Sequence, residues 1–142
     1  MRKRYILPAF ILIGAAAYII SRHYPQKERR FIKALIADGA RAVETEDIKT
    51  IEKLFARNSP EKEKRMKEAK NYFNEYEPME IEIQNAKYEI KEEKAIAALF
   101  LIITAKFDQL GKVKGRQTVG LKLVKEEENT YRGWRINKIK YD

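Results

Sequence analysis

Few side chains in this chain have the type and spacing that chemistry needs, and each has a plainer reading beside it. The one histidine, His23, ends an apolar run. That position removes a histidine base from any folded domain downstream, and the count removes a three-histidine metal site. There is no cysteine, which excludes thiolate nucleophiles, disulfides and cysteine-ligated zinc. Asp38 falls at the edge of an apolar helical arc, next in angle to Phe31. Over a pocket it would be a general base with a raised pKa; at a solvated boundary it is an ordinary carboxylate. Tyr72 and Tyr76 lie one helical turn apart and could share a ligand carbonyl, or form a core stripe with wet hydroxyls. Trp134 reads as a core anchor, and Thr104 and Lys106 as a solvated strand end. No catalytic motif joins these residues, and no cofactor is expected.

The elements that must position them follow from hydrophobic period. Ala95 to Ile103 is a run of nine apolar residues without Gly or Pro, and Thr104-Ala105-Lys106-Phe107 extends it. Such a run fits a strand buried on both faces or a buried helix; the turn-like cluster from Asp108 to Gly115 and the alternation after it favour the strand. Upstream, Phe31, Ile32, Leu35, Ile36, Gly39, Ala42 and Val43 share an arc of about 140°, which predicts an amphipathic helix of roughly 18 residues from Pro25. Thr45 is the expected N-cap of a second, short helix with Ile48, Ile51, Leu54 and Phe55 inside. Ser59 and Pro60 are the expected cap and first position of a third, with Met66, Ala69, Tyr72, Phe73 and Tyr76 inward.

After Pro78 the period changes to two. Met79, Ile81 and Ile83 alternate with Glu80, Glu82 and Gln84, and the inward set then slips to Ala86, Tyr88 and Ile90, as a β-bulge requires. Val119, Leu121 and Leu123 mark another strand. A last one, from Thr130, points Trp134 and Ile136 inward, then Ile139 and Tyr141 after a second slip. Short links between strands imply an antiparallel sheet, and helices before strands imply an α+β domain with its helices on one face.

Charge and hydropathy bound the class. Of a net charge of +9, residues 1–30 hold seven basic side chains against Glu28 alone, and the rest hold 23 basic and 20 acidic. A near-balanced domain argues against a nucleic-acid partner, and the basic excess around the first apolar run suits anionic headgroups. Residues 5–20, Tyr5 to Ile20, carry no charge and would make a helix about 24 Å long, close to a bilayer span. The expected organisation is a transmembrane signal anchor at 1–24 and an α+β domain at 25–142. Cleavage after Ala15-Ala16-Ala17, or a buried helix of a soluble domain, are the alternatives. Basic residues flank the run on both sides and leave the orientation open. The short basic N-terminus next to the run suggests a single-pass protein with its domain outside the cytoplasm.

A first helix with a central Gly39-Ala40, a second opened by Glu46-Asp47-Ile48, and a bent sheet ending in Trp134-x-Ile136-x-x-Ile139 resemble the nuclear transport factor 2-like superfamily over about residues 28–142. The resemblance implies a cone-shaped domain: three helices on one face of a bent four-stranded antiparallel sheet, with a pocket at the mouth. Enzymes of the superfamily, such as SnoaL-like cyclases, ketosteroid isomerase and scytalone dehydratase, place an Asp, His, Arg or Tyr there. Anchored, non-enzymatic members include an inner-membrane component of type IV secretion machines.

Two expectations about function follow. The first is a membrane-anchored, non-enzymatic domain working through protein–protein contacts in an envelope assembly, held in the lipid bilayer by residues 5–20. The alternative is a small-molecule-binding, isomerase or dehydratase domain using the cone. Ile96, Ala98, Phe100 and Ile102 take the second face of the central strand with no element left to cover them. That row is the expected partner surface, through which a two-fold homodimer could form.

Overall fold

The structure, a computed structural model, describes residues 26–107 and 110–141. The span expected at residues 5–20, with Tyr5 and Ile20 at its ends, lies outside them, as does His23. Among the described residues no helix is long and apolar enough to cross a membrane.

The order of elements is three helices followed by four strands. Helix α1 covers 26–44, α2 covers Ile48–Leu54 and α3 covers Lys62–Glu75. The strands are β1 (Glu80–Lys91), β2 (Lys94–Phe107), β3 (Gly111–Lys125) and β4 (Trp134–Tyr141). They pair in sequence order as an antiparallel meander, with the apolar run in β2 near the middle. The core lies between the helices and one sheet face. Ile32, Leu35 and Ile36 from α1 and Ile51 and Leu54 from α2 meet Ala97, Leu99, Leu121, Leu123 and Trp134 from the sheet.

Both expected phase slips are register shifts. One lies between Ile83 and Asn85 in β1, and the other at Asn137 in β4, where Leu123 faces Ile136 but Lys122 faces Lys138. An extra residue on one strand bends it and frees backbone groups from the ladder. Side chains from the start of α3 and the loop before it bind backbone groups on the outer edge of β4. Asn137 O accepts from the Ser59 hydroxyl at 2.6 Å, and Ile139 N donates to Glu61 Oε1 at 2.8 Å. Ile139 O accepts from Arg65 at 2.6 Å. The outer edge of β4 is thereby covered, which removes an edge open to stray pairing.

Local caps differ from the sequence expectation in ways backbone geometry explains. Asp47, not Thr45, caps α2: its carboxylate accepts from Thr50 N at 3.2 Å and from the Thr50 hydroxyl at 2.6 Å. Thr45 instead donates to Arg41 O at 2.9 Å and closes the end of α1. The turn between the helices uses two more residues than expected, so the acceptor falls at Asp47. Likewise α3 starts at Lys62 rather than Pro60, because Ser59 is held on β4 and accepts only a 3.3 Å bond from Glu61 N. Tyr76 ends α3 as an exposed C-cap rather than an inward residue. Residues 130–133 form a turn, and β4 begins at Trp134. In that turn Arg132 and Gly133 both have positive φ, and Asn129 Oδ1 accepts from Tyr131 N and Gly133 N. This side-chain bridge tightens the loop that delivers Trp134 to the core.

Candidate functional site

The concave side of the sheet holds a cavity of about 140 Å³ beneath α1 and α2. Gly39 and Ala40 of α1 leave space over it, and Leu54, Phe55, Leu99, Leu101, Leu121 and Ile136 form much of its wall. No ionisable side chain lines it. A second cavity of about 340 Å³ adjoins it under α3 and shares Val43, Ile51, Phe55 and Ile139. Met66, Phe73 and Met79 line its apolar part, while Arg65, Glu68, Tyr72 and Tyr141 bring polar atoms.

Arg65 and Glu68 are engaged in holding the fold, and the tyrosines take part through their rings. Arg65 donates to Glu68 at 3.0 Å as well as to Ile139 O, and its guanidinium lies 4.9 Å over the Tyr141 ring. Burial pushes the Tyr141 hydroxyl above its ordinary pKa, against the opposing charge of Arg65. Tyr72 is half-buried, with its pKa raised by burial, then by Tyr76 and Glu46. It stacks on Tyr76 with ring centroids 5.0 Å apart, but Tyr76 is 46% exposed, so the two hydroxyls do not converge inside a pocket.

Asp38 is half-buried and is not among the residues lining either cavity. It accepts from the Tyr131 hydroxyl at 2.7 Å and ties α1 to the β3–β4 turn. Burial, then the hydrogen bond and charge of Asp38, push Tyr131 up to about 12. The pair holds Tyr131 protonated rather than presenting a base to a substrate.

The strongest electrostatic feature is one that the periodicity argument did not single out. Glu28, at the start of α1, is 1% exposed. It accepts from Trp134 Nε1 at 2.5 Å and Lys125 Nζ at 3.1 Å, with Arg132 Nη1 at 3.9 Å. Burial by itself would raise its pKa. The hydrogen bonds from Trp134 and Lys125 and the charges of Lys125 and Arg132 outweigh that and lower it. Glu28 precedes Ile32, Leu35, Gly39 and Ala42 at helical spacing, so an acid on the apolar stripe was the available signal.

The other sheet face carries the expected row. Ile96 and Phe100 are 48% and 37% exposed, and Ala98 and Ile102 are half-buried on the same side. Register adds what the residue counts averaged away. On this face β3 presents Lys112, Lys114, Arg116 and Lys122, and β4 presents Arg135, Lys138 and Lys140, with no acid between them. Glu80, Glu82 and Glu89 stand on β1, along with Lys87 and Lys91. Near-balance over residues 31–142 therefore does not mean a balanced surface. Alternation sorts the cations of β3 and β4 almost entirely to one side, so the expected absence of a concentrated basic surface does not hold. Lys106 closes β2 in a 3.6 Å ion pair with exposed Glu77. Among the described residues no group of His, Cys, Asp and Glu could hold a metal ion.

The chain has the nuclear transport factor 2-like fold. A putative aromatic ring hydroxylase from Novosphingobium aromaticivorans superimposes with a TM-score of 0.71 at 16% identity, covering 83% of this chain and 90% of that one. A protein of the NTF2-like superfamily from Salmonella enterica serovar Typhimurium gives 0.66 at 16% identity, covering 84% and 92%. Bd1075 of Bdellovibrio bacteriovorus gives 0.64 at 12% identity over 80% of this chain, which spans only 39% of that protein. At these identities the likeness is one of fold. No protein-family model matches the chain, and no curated protein matches it by sequence.

Proposed function

We propose that this chain is a membrane-anchored, non-catalytic domain that works through contacts of its outer sheet face, as a component of an envelope assembly. One observation carries the reading: the two sides of the sheet have opposite character. The inner cavity has no acid or base, whereas the outer face exposes Ile96 and Phe100 in a field of cations. Acid–base catalysis needs a titratable group within hydrogen-bond reach of the reacting atom. On the adjoining cavity Arg65 and Glu68 are paired with each other, and Asp38 is bonded to Tyr131. The anchor in this reading is residues 5–20, an uncharged run flanked in sequence by Arg4 and Arg22, whose side chains suit headgroups.

Flotation of the full chain with phosphatidylcholine vesicles after an alkaline, high-salt wash tests the anchor. The chain should stay with the vesicles through the wash. Release into the soluble fraction removes the anchored reading.

A second reading rests on the cavities. Together they could hold an apolar molecule with one polar end near Tyr72 and Arg65. Saturable binding of a fluorescent fatty acid, abolished by Val43→Trp in a chain that still folds, would favour it.

A further inference from the structure

We propose that the outer face of the sheet docks onto an anionic lipid surface. The proposal rests on the anchored reading for the nearness of a bilayer, and on the face itself for the chemistry of what it meets.

Composition and layout support it together. Peripheral membrane surfaces combine exposed apolar side chains, which enter the headgroup boundary, with basic side chains that meet anionic lipid. Here Ile96 and Phe100 lie on one side of β2, about 13 Å apart at strand rise. Phe100 pairs with Asn85 beside the β1 bulge and with Thr118 on β3. Around them β3 carries Lys112, Lys114 and Arg116, then Thr118 and Gly120, then Lys122, and β4 carries Arg135, Lys138 and Lys140. Among the described residues, Lys114, Arg116, Lys122, Lys138 and Lys140 have no acid within ion-pair distance, while Lys112 reaches Glu80 only at 4.0 Å. Residues 21–25 separate the apolar run from α1, and the chain from residue 20 to residue 26 spans at most about 20 Å, so an anchored domain stays within reach of the headgroups.

Other occupants fit less well. In a second copy packed face to face, each basic face would meet another. Only the three glutamates of β1 would oppose that repulsion. Single-stranded nucleic acid calls for several rings on which successive bases stack. This face exposes one, Phe100, and Lys87 Nζ already sits 6.0 Å over it.

The absence of cysteine makes a direct test clean. A nitroxide is placed on the full chain at Ile96→Cys, or at Lys49→Cys on the exposed side of α2 as control. Collision with an aqueous nickel chelate is then measured on neutral phosphatidylcholine vesicles and on vesicles with phosphatidylglycerol added. Docking predicts that the Ile96→Cys label loses about threefold or more of its accessibility on anionic vesicles only. It should regain it in 1 M salt, where the screening length is about 3 Å. The Lys49→Cys label should not change. Adding Lys114→Gln, Arg116→Gln and Lys122→Gln together should abolish the protection, since three cations correspond to about a hundredfold in partitioning. Equal accessibility on both kinds of vesicle overturns the proposal. So does protection by an oligonucleotide but not by lipid, or spin–spin broadening between copies without lipid. Flotation on neutral vesicles in high salt reads the anchor separately. Chain that floats there unprotected refutes the docking face alone. Chain that fails to float there yet is protected on anionic vesicles refutes the anchor alone.

Discussion

The two sides of β2 come from one nearly unbroken apolar run and end in opposite environments. Ala95, Ala97 and Leu99 are at most 5% exposed beneath the helices, while Ile96 and Phe100, interleaved with them, are 48% and 37% exposed. Residue type therefore does not separate the faces; their neighbours do. Inward, β2 meets Val119, Leu121 and Leu123 on β3, and outward it meets Thr118, Gly120 and Lys122. The inner face is where hydrophobic burial stabilises the fold, and the outer face retains apolar area for something else.

The largest test of that contrast is at the closed end of the inner face. Trp134 is fully buried and donates to Glu28. Trp134→Ala removes a large core side chain and leaves a buried carboxylate short of a donor, so it should cost about 3–5 kcal/mol or more. Urea unfolding measures this, and a loss below about 1 kcal/mol would show that Trp134 does not anchor the sheet to α1. The neighbouring pair Leu99 and Phe100 then sets face against face. Leu99→Ala should cost about 2–5 kcal/mol, and Phe100→Ala about 1 kcal/mol or less as an exposed position. If the two losses are equal, the outer face is covered in solution and the contrast fails.

Titration sharpens the comparison at the inner end with smaller effects. The folded state lowers the Glu28 pKa, so as pH falls the unfolded chain takes up its proton first. The stability this group contributes is complete above its ordinary value near 4.5 and is lost as pH falls through the folded value. Tyr131 behaves in the opposite sense. Its pKa is raised from 10.0 to about 12, so its contribution is complete below 10 and is lost as pH rises toward 12. Glu28→Gln should flatten the acid limb of a melting-temperature profile, and Tyr131→Phe the alkaline one. A Glu28→Gln profile that falls in acid as steeply as wild type would place the carboxylate in water.

Elements were legible where burial leaves a period. The three helices, the antiparallel order and both bulges follow from spacing, because a bulge must shift the inward set by one residue, as at Ile83/Ala86 and Ile136/Ile139. Caps were less legible, since Thr45, Asp47 and Ser59 are all capable acceptors and only the path of the chain selects one. Least legible were features joining distant residues. The Glu28–Trp134 bond spans 106 positions and Asp38–Tyr131 spans 93, and no local pattern pairs them. The basic face was hidden for a related reason. Counting charges over residues 31–142 mixes cations on the sheet's outer side with acids on β1, in the turns and on the helices, and only strand register shows where the cations gather.

The smallest effect tests how firmly the inner face is filled. Gly39 lies within α1, and a Cβ there would come 3.3 Å from Leu54 Cδ1. Replacing a mid-helix glycine by alanine favours the helix by about 0.8–1.0 kcal/mol, and the close contact opposes it. The contact is with the far end of a flexible side chain, and Leu54 also borders the 140 Å³ cavity, so it has room to turn aside. Gly39→Ala should therefore stabilise the domain slightly, by less than about 1 kcal/mol, as a rise in the unfolding midpoint. A loss of stability instead would mean that Leu54 cannot yield. The space beneath α1 would then be a cavity with rigid walls, which strengthens the small-molecule reading over a face that serves burial alone.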